Sequence, residues 1–166
     1  GDGDDVVYTS KAGLTEDSSI NGGLGLNTLV FATPGESGCW DNESYSAVSF
    51  NLSSELGNAS NFINIGGGSS NDTLTGDDNA NVIIGAGGDD TLNGGAGNDT
   101  IYGDSHLSDS SGTTYGIRSY NLTEGNDTIS GGDGDDTIFG DDGDDVIDGG
   151  AGNDTISSGS GSDTII

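Results

Sequence analysis

One aliphatic residue recurs in every repeat of nine through the last hundred residues of the chain, with a single interruption. In each repeat it follows Thr or Val and precedes a variable residue, and a segment rich in Gly, Asp and Asn leads to the next triplet. Such triplets are typical of very short strands with the middle side chain inward, and glycine-rich segments are typical of tight turns. The inward positions are Leu74, Ile83, Leu92, Ile101, Ile129, Ile138, Ile147, Ile156 and Ile165.

The period defines nine repeats, which we number 1 to 9. They are residues 67–75, 76–84, 85–93, 94–102, 103–105 continued by 125–130, 131–139, 140–148, 149–157 and 158–166. An excursion of nineteen residues, 106–124, interrupts repeat 5 without disturbing the phase. A fixed short period is the signature of a solenoid, so we predict a stack of strands joined by turns.

The sixth position of the repeat is acidic in eight repeats and Asn in repeat 2. Carboxylate oxygens, together with the main-chain carbonyls that glycine turns leave free, are the ligands that calcium takes in sets of about six to eight. The candidate metal ligands are Asp72, Asn81, Asp90, Asp99, Asp127, Asp136, Asp145, Asp154 and Asp163.

Repeats such as GGAGNDTIY (94–102) and GGDGDDTIF (131–139) make the chain similar to the RTX family. The resemblance implies an all-β fold, a parallel β-roll: a two-sheet β-solenoid with eighteen residues per turn, here with irregular insertions. Each repeat would then be a six-residue calcium-binding turn followed by a three-residue strand. About seven Ca²⁺ ions would lie in two files, that is, two rows along opposite edges of the roll. Each ion would lie between sixth positions one solenoid turn apart, and the Asn81 site would be the weakest. The expected pairs are Asp72 with Asp90, Asn81 with Asp99, Asp90 with Asp127, Asp99 with Asp136, Asp127 with Asp145, Asp136 with Asp154, and Asp145 with Asp163.

The first 66 residues fit the repeat only in part. Residues 1–30 are interpreted as degenerate repeats with a loop insertion at 9–21, in which Asp5 and Asn27 are further candidate metal ligands. Residues 31–66 are predicted to be an insertion and an N-terminal cap, because the end of a solenoid needs a cover. Within them, residues 47–52 alternate apolar and polar, which predicts a half-buried strand. The third expected region is the roll itself, 67–166 with its excursion at 106–124.

The net charge of the chain argues against nucleic-acid binding and favours folding that depends on a cation. The chain has 29 acidic and 2 basic residues and a net charge of −27, so it would repel nucleic acid rather than bind it. It contains no apolar run of the length that spans a membrane. A small aliphatic core among so many repelling carboxylates predicts a chain that is disordered without calcium and folded with it. The chain begins inside a repeat and ends at the last position of another, so we expect a piece of a longer protein.

The sequence contains no clear motif for catalysis, for a disulfide or for an EF-hand. His106, the only histidine, lies in the excursion, and no nucleophile motif or zinc-protease motif accompanies it. Cys39 has no partner for a disulfide, and the acidic run 141–145 lacks the flanking helices of an EF-hand. The acids at the fifth position, Asp89, Asp135 and Asp144, either reinforce metal sites or are solvated loop charges. We therefore expect no enzymatic activity and no catalytic residues.

The expected function is that of a calcium-binding structural domain of a larger secreted bacterial RTX protein. The resemblance implies export of the unfolded chain through a type I secretion channel and folding in extracellular calcium, outside the cell or at its surface. Three alternatives stay open: a spacer or building block of a surface-layer protein, adhesin or self-assembling fibre; a non-catalytic module of a secreted hydrolase or alginate epimerase; and a module that binds cell-surface glycans through aromatic residues of the insertions, namely Trp40, Tyr45, Tyr115 and Tyr120.

Overall fold

The computed structural model of the protein describes residues 6–9, 20–21, 27–31, 49–52, 59–60, 62–68, 70–104 and 125–166. Side chains are described for residues 29, 49–52, 64–68, 70–104 and 125–166. The excursion, Asp5, His106 and Cys39 lie outside the described residues, as do the four aromatic residues of the insertions. No helix in the described part is long and apolar enough to cross a membrane.

Fifteen short strands form the described structure. Their bounds are β1 Val6–Thr9, β2 Ile20–Asn21, β3 Asn27–Phe31, β4 Ser49–Asn51, β5 Ala59–Ser60, β6 Phe62–Gly66, β7 Thr73–Thr75, β8 Val82–Ile84, β9 Thr91–Ala96, β10 Thr100–Tyr102, β11 Thr128–Asp133, β12 Thr137–Phe139, β13 Val146–Ala151, β14 Thr155–Ser157 and β15 Thr164–Ile165.

Two parallel sheets contain thirteen of these strands. One sheet has the order β1-β3-β6-β8-β10-β12-β14 and the other β15-β13-β11-β9-β7-β4, while β2 and β5 pair separately. Successive repeats alternate between the two sheets, so each strand pairs with the strand two repeats away. This arrangement confirms the predicted all-β parallel β-roll.

The register follows the repeat. Leu74 lies opposite Leu92 in one sheet, eighteen residues along the chain. In the other sheet Ile101 lies opposite Ile138, a separation that also contains the excursion. The strands on either side of the excursion therefore keep the pairing register of the repeat.

The core is one aliphatic column from each sheet. The seven inward residues from Leu74 to Ile147 are at most 1% exposed. Ile156 is only partly buried, and Ile165 is 56% exposed, which differs from the predicted inward position. No strand lies beyond β14 and β15 in the described sheets, so these two side chains are covered from one direction only.

The strands before repeat 1 continue both sheets. β4 pairs with β7, and β6 pairs with β3 and β8. Phe50 and Leu52 are buried in the core with Leu29 and Ile65, in agreement with the alternating pattern of residues 47–52. Residues 49–52 and 62–66 thus contribute strands of the same kind as the repeats.

Three strands are longer than the three residues expected. β9, β11 and β13 each have six residues and run into the first three positions of the next repeat. There Gly132 pairs with Gly95 and Gly150, and a β-carbon on Gly132 would overlap the carbonyl oxygen of Gly95. The backbones can continue their pairing because these positions carry no side chain.

Candidate metal sites

Most loops of the repeats have a backbone that favours glycine. The fourth position has positive φ in repeat 3 (Gly88, 97°), in repeat 4 (Gly97, 107°) and in the repeats from 6 onward. At the second position, Gly95 has a φ of 104°, and two residues with side chains, Ala86 (91°) and Asp141 (73°), also adopt positive φ. These turns reverse the chain direction so that the sixth-position side chain points back into its own loop.

The sixth-position side chains are buried although they are polar. Those from Asp72 to Asp145 are at most 2% exposed, and Asp154 and Asp163 are half-buried. Carboxylates are rarely buried without compensation, because losing hydration costs several kcal/mol in a low-dielectric site. Burial of a whole file of them marks these loops as the unusual feature of the molecule.

Hydrogen bonds join the sixth positions of neighbouring solenoid turns. Each main-chain N–H donates to Oδ1 of the sixth-position residue one turn further along, at 2.7–3.1 Å. The seven pairs so joined are Asp72–Asp90, Asn81–Asp99, Asp90–Asp127, Asp99–Asp136, Asp127–Asp145, Asp136–Asp154 and Asp145–Asp163. The structure therefore brings together the same seven pairs between which the sequence predicted calcium ions.

The second oxygen of the carboxylate has no hydrogen-bond partner in five loops. These buried atoms are Oδ2 of Asp90, Asp99, Asp127, Asp136 and Asp145. A buried acceptor without a partner is rare in folded proteins, and an ion is one of the standard explanations for such an atom.

A main-chain carbonyl from the next solenoid turn lies beside each of these oxygens. A β-carbon added to Gly94 would overlap both Asp99 Oδ2 and the carbonyl oxygen of Gly131. The first-position glycine of every other loop in this set shows the same pair of neighbours. Glycine is thus required at this position, and a carboxylate oxygen and a carbonyl oxygen from two turns converge on one small space, as the oxygen ligands of a calcium ion do.

The electrostatics of the loops are unfavourable without a cation. Burial is the largest cause that raises the pKa of Asp90 to about 9; the carboxylates of Asp127 and Asp72 contribute to the rise, and the main-chain hydrogen bond from Asp72 opposes it. Burial likewise raises the pKa of Asp127 to about 7 and that of Asp99 to about 6. The pKa values of Asp136 and Asp145 are raised for the same first cause.

The described repeats contain no basic side chain that could balance these acids, because Lys11 and Arg118 both lie outside them. Nor does any group of three His, Cys, Asp or Glu side chains come together among the described residues. Each loop supplies one sixth-position side chain, so most ligands of a metal here would be main-chain carbonyls. Such a ligand set fits a hard cation.

The two N-terminal candidates are placed differently. Asn27 is the first residue of β3, where the pairing with β6 shifts register between Asn27 and Thr28, and Asp5 lies outside the described residues. Asn81 occupies the sixth position of repeat 2, and its side-chain oxygen accepts a hydrogen bond from Asp77 N–H at 2.8 Å. These candidate ligands remain predictions.

Fifth-position residues form a second ladder on the exposed rim of each loop. Asn126 N–H donates to Asp89 Oδ1 at 2.9 Å, and Asp144 N–H donates to Asn126 Oδ1 at 2.8 Å. In the other file Asn153 N–H donates to Asp135 Oδ1 at 2.9 Å. The three fifth-position acids are therefore exposed, but each takes part in contacts between turns.

Asn and Asp alternate along this rim, so that no two carboxylates are direct neighbours. One file reads Asn71, Asp89, Asn126, Asp144 and Ser162, and the other reads Ala80, Asn98, Asp135 and Asn153. This alternation was not predicted from the sequence, because it becomes visible only when every second repeat is compared.

The fold and its loops define a parallel β-roll whose turns are built to bind hard cations. A sequence model of the RTX calcium-binding nonapeptide repeat (4 copies) matches residues 66–101, 122–156 and 131–165. The chain therefore carries calcium-binding nonapeptide repeats of the RTX family. A comparison with curated proteins found no match.

Proposed function

We propose that this calcium-binding repeat region is a structural domain that folds when calcium binds, within a larger secreted bacterial RTX protein. In this proposal the sixth-position residues named above are the side-chain ligands, and Ca²⁺ ions lie between successive solenoid turns. The domain performs no catalysis. It passes a type I secretion channel unfolded and folds in the calcium-rich medium outside.

The observation that carries the proposal is the set of five buried carboxylate oxygens without a hydrogen-bond partner. Each one faces a main-chain carbonyl of the next turn across a glycine, so a cation bound there would join two turns. A cation that binds only the folded chain stabilises it by RT ln(1 + [L]/Kd) for every site. Several sites in one roll therefore make folding depend steeply on calcium concentration.

Calcium suits these loops better than magnesium. Calcium accepts irregular shells of carboxylate and carbonyl oxygens, whereas magnesium requires near-ideal octahedral geometry and gives up water reluctantly. The described repeats contain no His or Cys, the side chains that zinc prefers.

Circular dichroism tests the proposal. The protein in excess chelator should give the spectrum of a disordered chain, and millimolar calcium should produce a β spectrum in a cooperative transition. Magnesium at equal concentration serves as the control and should produce little change. A cooperative β spectrum that survives exhaustive chelation would contradict calcium-coupled folding.

A further inference from the structure

Repeat 5 is divided by the excursion, yet its two halves keep the positions of an undivided repeat. A β-carbon on Gly103 would overlap Asp127 Oδ2 and the carbonyl oxygen of Gly140, as at the first position of the other loops. Gly125 stays in the fourth-position column, since a β-carbon on Gly143 would overlap its carbonyl oxygen. Asp127 is hydrogen-bonded to Asp90 and Asp145 in the two adjacent turns.

The backbone of the divided loop nevertheless differs from its neighbours. In the next loop of the same file, Asp141 and Gly143 have positive φ at the second and fourth positions. Asp104, at the second position of repeat 5, does not. Repeat 5 therefore lacks the second-position turn conformation that repeats 3, 4 and 6 to 9 have.

A carboxylate joins the two ends of the divided loop. Gly125 N–H donates to both oxygens of Asp104, at 3.1 Å to Oδ1 and 3.3 Å to Oδ2. Bringing together the ends of a segment as long as 105–124 costs conformational entropy, and a charge-assisted hydrogen bond opposes this cost.

From these contacts we infer that Asp104 is a positioning residue for the metal site of repeat 5: its carboxylate holds Gly125 in place so that Asp127 binds calcium as it would in an undivided loop. The inference rests on the proposed calcium-binding function. It explains how a metal loop can carry an insertion of nineteen residues and still present its ligands in register.

The sequence itself offers a matched background for the test. Deletion of residues 106–124 leaves GDSGNDTIS, an uninterrupted repeat in which the chain itself joins the two halves. Asp104→Ala and Asp104→Asn are made in the full chain and in this shortened chain. Asp141→Ala is the control, because it removes the same kind of charge from the next loop, where no insertion has to be closed.

Hydrogen exchange is followed by mass spectrometry in saturating calcium. In each variant, the protection of residues 125–130 is compared with the protection of residues 146–157. In the full chain Asp104→Ala should lower the protection of 125–130 about tenfold, the effect expected for a charged hydrogen bond, and leave 146–157 nearly unchanged. In the shortened chain it should have little effect. Asp104→Asn, which keeps an acceptor for Gly125 N–H, should retain most of the protection, and Asp141→Ala should not lower that of 125–130 selectively.

Two outcomes would overturn the inference: equal losses from Asp104→Ala in both backgrounds, or equal losses from Asp104→Asn and Asp104→Ala in the full chain. The first would mean that Asp104 does not act by closing the excursion, and the second that it acts through its charge and not as the acceptor for Gly125 N–H. The proposed function is judged separately. If the unmodified protein shows the same protection with and without calcium, that function fails, whereas the Asp104 comparison still stands because it is read from the folded protein.

Discussion

Repeats 1 and 2 differ from the repeats that follow in how the sixth-position side chain is satisfied. Asp72 Oδ2 accepts a hydrogen bond from Gly68 N–H at 2.7 Å, and Asn81 Oδ1 accepts one from Asp77 N–H at 2.8 Å. In repeats 3 to 7 the corresponding Oδ2 has no such partner. The first two loops are thus closed by their own main chain, and the later ones leave an oxygen to be satisfied by something else.

The backbone at the second position also differs. Gly68 and Asp77 do not have positive φ, whereas Ala86 at the second position of repeat 3 does, and its N–H donates to the carbonyl of Gly103 in the next turn. Repeats 1 and 2 also carry Ser70 and Asn79 where every later repeat has glycine. Asp104 at the second position of repeat 5 also lacks positive φ, yet Asp127 Oδ2 has no partner there. The second-position backbone alone therefore does not decide how the sixth-position side chain is satisfied.

The comparison shows that the same nine-residue period can produce two kinds of loop. One resembles an ordinary capped turn, and the other leaves a buried carboxylate oxygen that a bound cation would satisfy. We therefore expect calcium dependence to be concentrated from repeat 3 onward.

The largest effect is expected from pH in the absence of metal. The pKa values of Asp90 (about 9), Asp127 (about 7) and Asp99 (about 6) are above the ordinary value of 3.8. Between pH 3.8 and about 9, the folded state therefore binds more protons than the unfolded state. Stability then falls as pH rises. In chelator, the β signal should increase as pH is lowered from 9 to 5, and the change measured by circular dichroism should be small or absent in saturating calcium. An increase of metal-free β signal with rising pH would contradict this account of the buried carboxylates.

A second effect should separate the two kinds of loop. Asp136→Asn removes the charge of a carboxylate that has a free oxygen, so the calcium midpoint of folding should rise about tenfold. Asp72→Asn creates the side chain that repeat 2 already carries in its Asn81, and should change the midpoint by much less. Calcium titrations of both variants check this, and equal shifts would remove the distinction between early and late loops.

The backbone difference can be tested at the fourth position. Gly97 has a φ of 107°, and a β-carbon there would lie 2.6 Å from the carbonyl carbon of Asn79, so Gly97→Ser should destabilise the folded protein by about 2 kcal/mol. Ser70→Gly, the reverse change in repeat 1, should cost no more than about 1 kcal/mol. Urea unfolding at fixed calcium concentration measures both. Similar losses would show that the two loops have the same backbone requirement.

The smallest effect is expected at Ala86. Its φ of 91° costs an L-residue about 1–2 kcal/mol, so Ala86→Gly should stabilise the protein by about 0.5–1 kcal/mol after the added chain entropy of glycine. The control is Ala96→Gly in strand β9, which should destabilise by about 0.5–1 kcal/mol. Thermal unfolding of the pair should therefore give shifts of opposite sign. Shifts of the same sign would show that Ala86 is not strained.

The fold could be predicted because the nine-residue period makes the strands equivalent and the resemblance to the RTX family implies two repeats in each solenoid turn. Once Ile101 and Ile138 occupy the same repeat position, two repeats apart, their strands must lie side by side in a two-repeat turn. The pairing of sixth positions follows from the same period. These features needed no knowledge of individual side-chain contacts.

Other features depend on contacts that no period reveals. Positive φ at Ala86 contradicts the ordinary preference of alanine and results from its place in the stack. The bond between Asp104 and Gly125 joins residues on either side of the excursion, and the hydrogen bond from Gly68 to Asp72 depends on the backbone of one loop. Exposure of Ile165 could not be read from its position in the repeat, because it depends on what covers the last turn.

The most direct test of calcium as the partner of the buried carboxylates is anomalous scattering from crystals grown in calcium. The account predicts an ion beside each free Oδ2, between the first-position glycine of one loop and the carbonyl of the next solenoid turn. These five oxygens belong to Asp90, Asp99, Asp127, Asp136 and Asp145, so the ions should fall in two files on opposite edges of the roll. Anomalous peaks confined to the fifth-position rim, or to one file, with no density beside these five oxygens, would contradict it.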